Sequence, residues 1–103
     1  VAWRVKWTEF ASRNLKGQAD YIAQDSQRYA DALIREAREA ARSLRQFPNR
    51  GRVVPEEKDP TVRELFIFHS YRLLYRVVAS DHEVQILAFV HGARDLEKAL
   101  DEG

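Results

Sequence analysis

Residues 62–90 read VRELFIFHSYRLLYRVVASDHEVQILAFV, and this stretch decides the fold. Three runs rich in β-branched, aromatic and aliphatic residues, Val62–Phe68, Tyr71–Ala79 and Glu83–Val90, are separated by His69-Ser70 and by Ser80-Asp81-His82. Runs of this length bounded by short polar breaks are strands. Connections this brief permit only antiparallel pairing, so the stretch is a meander. It holds the most apolar part of the chain, and at least one face of its sheet needs a cover.

The cover lies on the N-terminal side. Residues 48–61, PNRGRVVPEEKDPT, hold all three prolines and the Asn49-Arg50-Gly51 turn signal, and read as one long loop. Ahead of it Ser26 is placed to cap a helix whose apolar face is Ala30, Leu33, Ala37, Ala40 or Ala41, Leu44 and Phe47, ended by Pro48. Further upstream Thr8 is placed to cap another, with Glu9 in its first turn and Ala11, Leu15, Ala19 and Ile22 at helical spacing. The Asp25-Ser26 break is so short that the two helices form an antiparallel hairpin. Val1, Trp3, Val5 and Trp7 alternate with Ala2, Arg4 and Lys6, the pattern of a half-buried strand with its tryptophans toward the core. Residues 93–101, with Leu96 and Leu100 on one side, predict a short terminal helix. The order is β-α-α-β-β-β and a helix. Only the helical hairpin can cover the sheet, which makes the fold a two-layer α+β sandwich.

The 103 residues suffice for one domain, 1–103. The absence of cysteine excludes disulfide scaffolds, thiolate metal sites and cysteine nucleophiles. No run of 18 apolar residues is available to span a membrane, and Val1–Trp7 has no signal-peptide pattern, so the expected location is cytoplasmic. The lack of methionine implies residues ahead of Val1. Phosphate-binding glycine loops, nucleophile elbows and H-E-x-x-H are all missing. His69, His82 and His91 fall on different elements at spacings that do not form a metal site, so neither metal nor cofactor is expected.

Net charge is only +1, which argues against sequence-specific or general nucleic-acid binding, but 13 of the 17 cations are arginine, the side chain suited to gripping carboxylates and phosphates. Arg28, Arg35, Arg38, Arg42 and Arg45 lie away from the apolar stripe of the second helix. They form either a solvated face or an anion- or partner-binding one. Arg63, Arg72 and Arg76 lie on the meander, where they either pair across strands with Glu64 and Glu83 or hold an acidic partner or an RNA backbone. Leu33 and Ala37 are expected to let a partner helix approach. His91, at a strand end, and Arg94 behind it are candidates for contact with a target.

Read together, Leu44-Arg45-Gln46-Phe47-Pro48, Gly51-Arg52-Val53-Val54-Pro55-Glu56, Tyr71-Arg72-Leu73-Leu74-Tyr75-Arg76 and Val90-His91-Gly92-Ala93-Arg94-Asp95 form an ordered set. In this set the chain resembles the ParE toxins of the RelE/ParE superfamily. The resemblance implies an antiparallel four-stranded sheet in the order 1-4-3-2 on a helical hairpin. It implies a type II toxin neutralised by a ParD-like antitoxin in a hetero-oligomer and acting on DNA gyrase. The RelE branch instead cuts mRNA on the ribosome with basic residues of the sheet and, commonly, a C-terminal tyrosine or histidine. Here no tyrosine follows His91, and Asp95, Glu97, Asp101 and Glu102 make the tail acidic. Only His91, helped by Arg72, Arg76 or Arg94, remains for acid–base work. Gyrase inhibition without catalysis is therefore the expected activity, ribonuclease the alternative and an inactive binding module a second one.

Overall fold

The computed structural model describes residues 1–92. The elements run β1 (Arg4–Trp7), α1 (Glu9–Ala23), α2 (Gln27–Ser43), β2 (Arg52–Val53), β3 (Val62–Ile67), β4 (Tyr71–Val78), a single 3₁₀ turn (Ala79–Asp81) and β5 (Glu83–His91). The sheet order is β1-β5-β4-β3-β2. The two-layer α+β class and the path of the four long strands are as expected. Two details differ. β1 runs parallel to β5, because the hairpin brings the chain back to the end of the sheet at which β1 begins, where the Arg45 carbonyl accepts from the Trp3 N–H at 2.8 Å. Arg52–Val53, inside the long loop, adds a two-residue edge strand antiparallel to β3. The predicted terminal helix at 93–101 lies outside the described residues.

Both helices start where their caps require. The Thr8 hydroxyl accepts from the Ala11 N–H at 3.0 Å, and the Ser26 hydroxyl from the Tyr29 N–H at 3.1 Å. The end of α2 comes earlier than its apolar pattern predicts. Tight turns take over from Leu44, so Phe47 is left 62% exposed while Pro48 is buried in its place. The main core lies between hairpin and sheet, built on Ala11, Leu15, Leu33, Ala37, Leu44, Leu73, Tyr75, Ile86 and Phe89. Trp3 and Trp7 are half-buried at its rim, and Trp3 stacks on His82 with ring centroids 4.2 Å apart.

A bulge in β5 changes which side chains face the helices. Leu74 pairs with Ala88 but Tyr75 pairs with Ile86, leaving Leu87 unmatched. Val84 and Ile86 therefore face the helices before the bulge, and Phe89 after it. Ala88 and Val90 turn to the outer face, where they join Val54, Val62 and Leu74 in a second, smaller cluster. The bulge sits where β1 has ended and α1 begins. There the Thr8 N–H donates to the Ile86 carbonyl at 3.1 Å, and the Phe89 N–H donates to Asn14 Oδ1 at 3.1 Å. These side-chain and backbone partners satisfy an edge that would otherwise be bare.

Candidate functional site

Alternation on β4 sends Tyr71, Leu73, Tyr75 and Val77 to the helices and Arg72, Leu74 and Arg76 to the outer face. A buried guanidinium on a sheet face has to be satisfied, and its neighbours across the strands do this. Arg72 Nε donates to Glu64 Oε1 at 2.5 Å, while its two terminal nitrogens donate to Glu56 Oε2 and Oε1 at 3.1 and 3.0 Å. The second oxygen of Glu64 accepts from Arg52 Nε at 2.5 Å. The Arg52 and Arg72 guanidiniums lie 5.0 and 5.8 Å from the centre of the Phe66 ring. The result is a chain of alternating charge, Glu56–Arg72–Glu64–Arg52, laid along an exposed aromatic ring. The hydrogen bonds that Arg72 donates, those to Glu56 foremost, push its pKa up and hold it charged. The same bond from Arg72 holds the Glu56 carboxyl below its usual range.

The other meander arginines are also engaged. Arg63 donates to the Gly51 carbonyl at 2.7 Å, and Arg76 pairs with Asp59 at 3.6 Å. Of the two acids expected to pair with the meander arginines, Glu64 does so with Arg72. Glu83 instead meets Arg4 and Lys6 at 3.7 and 3.5 Å, because parallel β1 lies against β5. Arg72 thus offers no open anion site, being 4% exposed with every edge occupied.

Leu33 and Ala37 are wholly buried against the sheet, so neither can meet a partner helix. They fill the face of α2 that covers the core. Arg38 and Arg42 are exposed, as a solvated helix face requires. Arg38 stands at the rim of a groove of about 590 Å³ between the helices and β1, with Trp7, Leu15, Ala19 and Ile34 as its apolar lining and Lys16 and Asp20 at its edge. His91 is exposed and lies against Tyr71, ring centroids 4.8 Å apart, on the helix side of the sheet. Arg72 and Arg76 project from the other side. Arg94 lies outside the described residues, and among the described residues no group of His, Asp and Glu side chains could hold a metal.

Sequence reasoning missed Glu56, Arg52 and Phe66. Phe66 carried a signal: a large aromatic on the polar phase of an alternating strand. Glu56 carried none of its own, since only folding of the loop brings it to a strand 16 residues away.

A family model described as the ParE toxin of the type II toxin–antitoxin system parDE matches residues 5–96. Toxin RelE2 of Caulobacter vibrioides is 35% identical over 91 residues, covering 88% of this chain and 97% of that one. Among solved structures, a chain of the chromosomal ParDE system of P. aeruginosa superposes with a TM-score of 0.70 at 26% identity, covering 88% of this chain and 97% of its own. The RelBE2 toxin–antitoxin complex of Mycobacterium tuberculosis supplies a chain with a TM-score of 0.57 at 26% identity, covering 88% of this chain and 99% of its own. Free E. coli RelE, as a double arginine-to-alanine variant, shares the fold with a TM-score of 0.58 at 17% identity, covering 99% of this chain and 94% of its own.

Proposed function

The chain belongs to the ParE toxin family of type II toxin–antitoxin systems, and from that premise we propose that it arrests growth by binding DNA gyrase, without cutting RNA. The observation that carries this reading is the separation of His91 from Arg72 and Arg76 by the thickness of the sheet. Metal-free cleavage of RNA needs a base, an acid and a cation grouped around one phosphate. His91 stands on the helix side, and the two arginines on the outer side each hold a carboxylate already. A polyanion approaching the outer face would also meet Glu56, Glu64 and Asp59.

In the P. aeruginosa and M. tuberculosis structures the related chains come from toxin–antitoxin systems, and we infer a ParD-like antitoxin as partner here. The groove beside Arg38 suits an amphipathic segment, with Trp7, Leu15 and Ile34 for its apolar side and Lys16 and Arg38 for its acids. The similarity to Toxin RelE2 favours the ribonuclease reading instead. One paired experiment separates the two. The purified chain is expected to block gyrase supercoiling and to accumulate cleaved DNA, and to leave mRNA on translating ribosomes intact by toeprinting. Toeprints at the ribosomal A site that disappear in His91→Ala would replace gyrase binding with RNA cleavage as the activity.

A further inference from the structure

We propose that Glu56 is an internal stand-in for a partner's acidic side chain: Arg72, Arg52 and the Phe66 ring form a carboxylate-binding cleft, which Glu56 fills until a carboxylate of a partner protein displaces it. A gyrase-directed toxin and a ribonuclease would carry this cleft alike.

The two edges of the Arg72 guanidinium have different occupants. The Nε side is held by Glu64, whose side chain is wholly buried. The outer edge is held bidentately by Glu56, whose side chain is 46% exposed while that of Arg72 is 5% exposed. Glu56 is therefore the lid over the outer edge, and a fork of two parallel N–H groups is what a planar carboxylate best fits. Glu56 is the exposed partner of this pair, so a carboxylate arriving from solvent takes its place on Arg72 without leaving the buried guanidinium unpaired.

The cleft also selects its ligand. With Glu56 displaced, Arg52 and Arg72 face the fixed Glu64, a local charge of +1 that one carboxylate neutralises. A phosphodiester chain would bring further negative charge against Glu64 and against Asp59, which holds Arg76. Phe66 is 48% exposed and flanked by both guanidiniums, which suits an apolar residue next to the acid. The ligand class is thus an acidic-apolar peptide segment.

The test uses the full chain with Glu56→Gln, which keeps shape and removes the competing charge. The probes are acetyl-Leu-Glu-Leu-amide, its Gln counterpart and hexauridylate, titrated while the Arg72 Nε–H and Phe66 ring resonances are followed by NMR. An intramolecular group competes at a high effective concentration, so E56Q is expected to bind the Glu peptide at least tenfold more tightly than the unaltered chain. The Gln peptide should shift neither resonance. Undiminished dispersion of the E56Q spectrum checks its fold, and Glu56→Ala repeats the measurement should the Gln side chain hold the edge itself. Equal affinity in all three chains, no shift in either variant, or tighter binding of hexauridylate than of the peptide would each overturn the proposal.

Discussion

Gly51 shows how one residue type can be required by its neighbours rather than by its own backbone. Its N–H donates to the Tyr75 hydroxyl at 2.9 Å, deep under the loop. A Cβ there would stand 2.5 Å from the Glu64 carbonyl oxygen and 2.7 Å from the Tyr75 hydroxyl. Neither is the loose end of a flexible side chain, so the loop has to back away. Gly51→Ala should cost about 1–3 kcal/mol in urea unfolding, the range of overpacked interiors. The ion pairs differ in the same graded way. Glu64 is enclosed and holds Arg72 and Arg52, so Glu64→Ala leaves a buried guanidinium short of a partner and should cost about 3 kcal/mol. Arg76 is 40% exposed in its side chain and pairs loosely with Asp59, so Arg76→Ala should leave the unfolding midpoint nearly unchanged. Equal effects of the two substitutions would contradict this ordering of the pairs.

Among the elements, the helices rest on two well-formed N-caps and the β3–β4 connection on strain. Thr8→Ala and Ser26→Ala should each cost about 1 kcal/mol in thermal unfolding. They sit on different helices with separate partners, so the double variant should show the sum. The β3–β4 turn spans Phe68–Ser70, one residue more than His69-Ser70 alone, with Phe68 and His69 both left-handed at φ 52° and 63°. Bulky residues avoid that region. Two contacts hold the turn there: the Phe68 ring lies 5.3 Å from Tyr29 on α2, and the Gly92 N–H donates to the Ser70 carbonyl at 2.7 Å. Tertiary contact thus sets this turn against the local preference of its sequence.

For the molecule as a whole, acid should be a selective denaturant. Glu56, Asp59 and Glu83 all titrate below their ordinary values of 4.5, 3.8 and 4.5 in the folded chain. The leading causes are the Arg72 hydrogen bond for Glu56, the Thr61 hydroxyl for Asp59 and the Gln85 amide for Glu83. A carboxyl whose folded value lies below its unfolded one binds fewer protons when folded. Its contribution is complete above the unfolded value and disappears as the pH falls through the folded one. Stability should therefore be level through neutral pH and fall below about pH 4.5, with a shallower fall in Glu56→Gln, as a series of urea titrations would measure. An unaltered slope in that variant would show that Glu56 keeps its ordinary value. Two of these three carboxyls, Glu56 and Asp59, belong to the loop between β2 and β3, which also carries Val54 of the outer cluster.

Periodicity and capping are local properties, and they were readable in order along the chain. Thr8 and Ser26 announced the helices, the alternation of residues 62–90 announced the meander, and the ordered motifs from Phe47-Pro48 to His91-Gly92 announced the family. Contacts between distant segments were not readable in the same way. The parallel pairing of β1, the face exchange at Leu87 and the closure of Glu56 over Arg72 each depend on which segment arrives alongside. A sequence records how each residue treats its near neighbours. Which carboxylate neutralises a buried arginine, and which side of a sheet a histidine faces, is settled only when the layers meet and every charge taken from water has to find its counterpart.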